Sequence, residues 1–164
     1  MIRNRGFSLL ELLIVIAILA IVVSMGVSVY HDWIKKNQIL NNTKLLFSSL
    51  NRLKIKAFTE KRTCGLYWAA SPTKTVFLRC DTDYDNQITD SGGYEELSSL
   101  TLDQEFYFNA GIVQTFRFFK EGIAKDLGNI RPVDLSVTPR YNCIVVSKMR
   151  IKMGVWESGE CHVK

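Results

Sequence analysis

The chain has 164 residues, which after a long N-terminal helix leaves about 100 for one compact head and excludes two full-sized domains. Its composition, 47% hydrophobic and 23% charged, is that of a folded protein, with the apolar residues crowded into the first thirty positions. The formal net charge of +5 falls to +3 if Arg3 and Arg5 leave with the first six residues, so bulk basicity is no argument for a nucleic-acid partner.

Residues 1–6 are short and basic. They lead through Phe7, Ser8, Leu9, Leu10 and Glu11 into an unbroken apolar stretch from Leu12 to Val23, which continues with weak polarity to Tyr30. That is roughly the 20 residues a helix needs to span a bilayer. Arg3 and Arg5 predict a cytoplasmic N-terminus and a head outside, a single pass through the inner membrane. An ordinary cleaved secretory signal would need a small-residue site after the apolar run, whereas Ala17 and Ala20 lie inside it. Glu11 is the informative residue. A carboxylate in a spanning helix costs about 2.5 to 3.5 kcal/mol unless it lies near the interface or is paired, and no Lys or Arg stands between Phe7 and Tyr30. Its partner must come from outside the helix or from a newly made α-amino group.

The run Arg5-Gly6-Phe7-Ser8-Leu9-Leu10-Glu11-Leu12 resembles the type III signal of type IV pilins and type II secretion pseudopilins. The resemblance implies a leader over 1–6 and a transmembrane and assembly helix over 7–30. It also implies cleavage by a prepilin peptidase between Gly6 and Phe7, methylation of the new Phe7 amine, and pairing of Glu11 with the terminal amine of a neighbouring subunit. Many pilins carry a proline partway along this helix; here the prolines are Pro72, Pro132 and Pro139. Gly26, flanked by Val27, Ser28 and Val29, is the expected weak point, where low helix propensity favours local melting.

From 31 to 62 the helix should continue as an amphipathic second half. Leu46, Leu50, Leu53 and Ala57 recur at spacings of four, three and four on one face, which Phe47 and Phe58 widen. Lys35, Lys36, Lys44, Arg52, Lys54, Lys56, Lys61 and Arg62 fall largely outside that face and read as its solvated side. The whole helix would be about 50 residues, near 75 Å at 1.5 Å per residue.

Over 63–164 the pattern changes to short apolar runs between turn residues. The predicted strands are Gly65 to Ala70, Thr75 to Cys80, Glu105 to Asn109, Thr115 to Phe119, Val133 to Val137, Asn142 to Ser147 and Met149 to Trp156, with Ser71-Pro72-Thr73-Lys74 as a hairpin turn. The expected fold is α+β, a long N-terminal helix packed against an antiparallel two-sheet β head. This order resembles the GspH/FimT-type minor pilins and pseudopilins through Val76-Phe77 and an acidic loop, Thr115-Phe116-Arg117-Phe118 leading to Gly122, and Cys143-Ile144-Val145-Val146-Ser147 before a basic strand.

Cys64, Cys80, Cys143 and Cys161 are an even set confined to the head. Of three connectivities, the short separations favour Cys64 with Cys80 and Cys143 with Cys161, in an oxidising compartment. The loop from Asp81 to Asp90 carries Asp81, Asp83 and Asp85 at alternate positions, a spacing that can gather oxygen ligands for calcium. It fails as an EF-hand, with Asn86 at the turn-glycine position and Gly92 at the twelfth, and a solvated acidic turn is the reading preferred to a calcium site. Lys148, Arg150 and Lys152 alternate with apolar residues, so a strand would align them on one exposed face able to meet phosphates. The commoner role of such a row is to guard an edge strand. In the resembling family a Gly-Arg-x-Arg pattern often stands here and in some members is associated with DNA uptake; this chain matches its basic half, with Met149 in place of glycine. Phe106, Phe108, Phe116 and Phe118 read as core, and Trp156 as a packing residue. No histidine stands amid candidate nucleophiles, so an enzyme is not expected. The expectation is a structural subunit that partners other pilins or pseudopilins, the prepilin peptidase and the inner membrane, with DNA capture as the alternative.

Overall fold

The computed structural model describes residues 8–111 and 114–163, with the helical backbone alone for 24–28. The chain divides into two compact units, Met1–Lys35 and Lys36–Lys164. A single helix, α1, runs from Leu9 to Glu60 and contributes to both.

In the first unit α1 starts where Ser8 caps it. The Ser8 hydroxyl accepts a hydrogen bond from the Leu10 amide at 3.3 Å, and the Ser8 carbonyl accepts the first intrahelical bond, from Leu12, at 3.2 Å. This is N-cap geometry. The described side chains from Leu9 to Val23 are all exposed. Among the described residues no helix is long and apolar enough to cross a membrane; the run whose side chains are described, Leu9 to Val23, rises about 22 Å at 1.5 Å per residue, and the helical backbone continues beyond it. The side chains of Gly26 and its neighbours, the expected weak point, lie outside the described residues, and the helical backbone is continuous there.

In the second unit the last turns of α1 bury Ile39, Leu46, Leu50, Leu53 and Ala57 completely, the face that the four-three-four spacing marks. Phe47 packs at its margin. Phe58 does not: it is 52% exposed, one position round the helix from Ala57. The helix ends at Lys61, whose φ of 56° is the left-handed conformation of a helix stop.

The head carries one antiparallel sheet of eight strands rather than two sheets, in the order β4-β1-β2-β3-β5-β6-β7-β8. The strands are β1 (Cys64–Tyr67), β2 (Thr73–Asp81), β3 (Tyr94–Asn109), β4 (Thr115–Phe118), β5 (Gly128–Pro132), β6 (Cys143–Val146), β7 (Ile151–Glu157) and β8 (Glu160–Val163). The reason is β3. Its first part pairs with β2, from Tyr94 opposite Asp81 to Thr101 opposite Thr75, and its last part pairs with β5, from Phe106 opposite Pro132 to Asn109 opposite Asn129. One 16-residue strand thus belongs to both halves and joins them. The register breaks twice along it: Leu97 has no opposite residue on β2, and a second shift falls between Thr101 and Phe106. Such bulges bend a strand.

Three further elements differ from expectation. Thr73 and Lys74 begin β2 instead of closing a turn. The strand expected at Val133 to Val137 lies earlier, as β5, because Gly128 lets β5 approach the end of β3: a Cβ there would sit 1.7 Å from the Asn109 carbonyl oxygen. β8 follows β7 through Ser158 (φ 52°) and Gly159 (φ 88°), a two-residue turn of the kind that matches hairpin twist.

Disulfides join Cys64 to Cys80 and Cys143 to Cys161. Cys64 and Cys80 are direct cross-strand partners on β1 and β2. The core gathers Trp68 against Phe108 and Phe116, at 5.0 and 5.2 Å between ring centroids. Phe106 and Phe118 are buried with them, while Trp156 is half-buried beneath the Arg131 guanidinium.

Candidate functional site

Gly6 and Phe7, the expected cleavage and methylation residues, lie outside the described residues. Glu11 lies inside them, exposed in the first turn of α1. With Ser8 as N-cap, Glu11 occupies the third helical position, so Ser8-Leu9-Leu10-Glu11 has the spacing of a capping box. A carboxylate there also faces the positive end of the helix dipole. The sequence pattern alone could have shown this local role, which stands beside any intermolecular one.

The acidic loop is built on Asp81, the last residue of β2, whose carboxylate is buried. It accepts hydrogen bonds from the amides of Asp83 at 3.0 Å, Tyr84 at 2.8 Å and Asn86 at 2.7 Å. The chain turns tightly enough to bring those amides inward because Tyr84 and Asn86 take positive φ, 64° and 63°. One oxygen from each of Asp81, Asp83 and Asp85 lies within 4.8 Å of the others, a cluster of the oxygen type that hard cations accept. Burial raises the Asp81 carboxyl above the ordinary range, and the hydrogen bond it gives Asp83 holds Asp83 below it. Of the two, Asp81 therefore takes up a proton first. The amides that Asp81 accepts already order this turn.

The far end of the loop is clamped by Arg79 on β2. Its guanidinium lies over the rings of Tyr94 at 3.9 Å and Tyr67 at 4.1 Å, and it donates to Asp90 at 2.7 Å. The Tyr67 hydroxyl donates to the other Asp90 oxygen at 2.8 Å. These two donors, the tyrosine first, hold the Asp90 carboxyl below the usual carboxylate range. The contribution of this clamp to stability is therefore complete above that range and is lost as pH falls through the lowered value.

Lys148, Arg150 and Lys152 do not form one row on a strand. Lys148 and Arg150 stand in the turn between β6 and β7, closed by the Ser147 amide donating to the Arg150 carbonyl at 2.9 Å, and only Lys152 is within β7. All three are exposed. Ile151 and Met153 pack on the core, so strand alternation puts Lys152 on the opposite face. Lys148 instead borders a depression of about 500 Å³ with Phe119, Lys125 and Leu127. Two others adjoin it through Glu121: one of about 430 Å³ with Lys54, Ile55, Phe58 and Met149, and one of about 590 Å³ with Phe58, Lys61, Tyr84 and Lys120. Among the described residues, none of Lys54, Lys61, Lys120, Lys125 and Lys148 has a carboxylate partner. Lys54 donates to the Met149 carbonyl at 2.7 Å, and Lys61 lies over the Phe58 ring at 4.0 Å. The basic face comes from three separate segments, the end of α1, the β4–β5 connection and the β6–β7 turn, so no local sequence pattern announces it.

Residues 1–27 match the family described as the prokaryotic N-terminal methylation motif. No curated protein and no solved structure matches the chain. The motif over the first 27 residues supports a type IV pilin-like subunit.

Proposed function

We propose that the chain is a minor pilin or pseudopilin. In this reading it is inserted in the inner membrane with its head outside and then built into a type IV pilus or type II secretion pseudopilus, at the tip or priming complex. The observation that carries this is the methylation motif over residues 1–27. The exposed apolar helix from Leu9 to Val23 adds to it, since such a surface needs lipid or other helices around it. Glu11 then finds the methylated Phe7 amine of a neighbouring subunit, in surroundings where charge pairing is strong. The order of motifs in the head resembles that of GspH/FimT-type subunits. Intact mass and N-terminal sequencing of the protein from host membranes, with and without prepilin peptidase, test the reading. The expected product begins at Phe7 with one added methyl group, and Gly6→Leu blocks cleavage. An uncut Met1, or a cut beyond residue 23, would sink it.

A second reading, DNA capture, is favoured by one observation: five lysines that have no carboxylate partner among the described residues surround adjoining depressions whose lining includes one acid, Glu121. Phosphates would meet Lys120, Lys125 and Lys148 without base readout. Binding should then weaken steeply with salt, and Lys120→Glu combined with Lys148→Glu should remove it. DNA affinity that is indifferent to both changes would reject this face.

A further inference from the structure

We propose that Tyr30 and Trp33 form an aromatic anchor in the headgroup region of the outer leaflet, which fixes the depth at which α1 is held. The inference rests on the membrane reading above. Tyr30 is 61% and Trp33 60% exposed. Three positions apart, they project from one side of α1 with ring centroids 6.2 Å apart and planes at 20°. The other two tryptophans are treated differently: Trp68 is buried in the core, and Trp156 is half-buried under Arg131. Among the described residues this exposed, stacked pair belongs to no buried core.

Its place in the sequence gives the pair a role. No charged residue stands between Glu11 and His31; from there His31, Asp32, Lys35 and Lys36 follow closely. The pair therefore marks the point where the apolar helix gives way to polar residues. Tyr and Trp rings, each apolar with one polar donor, are enriched at that level of a bilayer. The length agrees. From Leu9 to Tyr30 the helix rises about 32 Å at 1.5 Å per residue, against a hydrocarbon core of about 30 Å. With the aromatic pair at the outer boundary, Glu11 falls close to the inner one, where a carboxylate is far less costly than at the bilayer centre. The anchor thus explains how Glu11 is tolerated before any partner subunit arrives.

The test uses the full chain in phosphatidylethanolamine–phosphatidylglycerol vesicles, with a quencher placed on the lipid either near the headgroup or near the chain end. Flotation reports membrane association, and the difference in emission between the native chain and Trp33→Phe isolates Trp33. The expected result is flotation, with loss of most Trp33 emission to the shallow quencher and little to the deep one. Flotation without quenching of Trp33, or with quenching chiefly by the deep label, overturns the anchor and leaves the membrane reading standing. Failure to float overturns the membrane reading and the anchor with it.

Discussion

Replacing Asp126 with asparagine should cost the head about 3 to 5 kcal/mol, the range for removing one partner of a buried ion pair. Arg117 on β4 and Asp126, in the loop before β5, meet in a two-pronged contact: Arg117 Nε donates to Oδ2 at 2.8 Å and Nη2 to Oδ1 at 2.9 Å. The same carboxylate accepts from the Thr115 hydroxyl at 2.9 Å and from the Arg117 amide at 3.1 Å. Both side chains are nearly inaccessible, at 11% and 6% exposure. An asparagine would turn an NH2 group towards donors and leave the guanidinium without its counter-charge. Arg117 also donates to the Asn86 carbonyl at 3.2 Å, so the loss should spread from β4 to the acidic loop. Denaturant unfolding of the full chain, followed by Trp68 fluorescence, measures it. Arg117→Met with Asp126→Leu should recover only part of the loss, because the Thr115 hydroxyl and the amide at 117 would still lack their acceptor. An Asp126→Asn chain that unfolds at the native denaturant concentration would show that solvent reaches this pair.

That pair was invisible in the sequence, and the reason is general to this head. Periodicity reports which residues face a core, so Leu46, Leu50, Leu53 and Ala57 could be read directly, as could the aromatic positions of β3 and β4. Alternation puts Arg117 on the face of β4 away from Phe116 and Phe118, where a charge reads as solvated, and what brings Asp126 to it is the bend of the chain between β4 and β5. Strand β3 was half legible for a related cause. Leu102, Phe106 and Phe108 keep an even spacing, but the bulge at Leu97 breaks the alternation earlier, and Glu95, Glu96, Ser98 and Ser99 make the segment read as a loop. Missing that half-strand divided the expected sheet into two. The N-terminal signal was legible because its chemistry is local: Ser8 caps, Glu11 follows at capping-box spacing, and the apolar run comes at once. The basic face was not, since Lys54, Lys61, Lys120, Lys125 and Lys148 meet only in three dimensions, whereas the row Lys148, Arg150 and Lys152 suggested a strand where the chain makes a turn.

Removing the disulfide between Cys143 and Cys161, by Cys143→Ser with Cys161→Ser, should cost about 3 kcal/mol, the magnitude expected for a cross-link that closes a loop of this length. The residues are 18 apart. Strand β8 needs this link because it is an edge strand, four residues long, with β7 as its one hydrogen-bonded neighbour, and unlike β4 at the other edge, whose residues are all buried, it is largely exposed. Its exposed side chains bury little, and a short hairpin without further packing is marginal in water. The link crosses β7 at Gly154, which lies opposite both Cys143 and Val163. A Cβ at 154 would stand 2.3 Å from the His162 carbonyl oxygen and 3.1 Å from Cys161 Sγ, so the glycine keeps open the space through which the bridge passes. Amide hydrogen exchange should show protection lost first from Glu160 to Val163 in the double serine variant. The corresponding change at Cys64 and Cys80 should leave strand protection largely in place, because β1 is hydrogen-bonded on both sides, to β2 and β4. Equal loss of protection from the two variants would mean that each bridge acts on the unfolded chain alone; protection lost only at β8 would mean that Cys143–Cys161 holds the edge in the folded head.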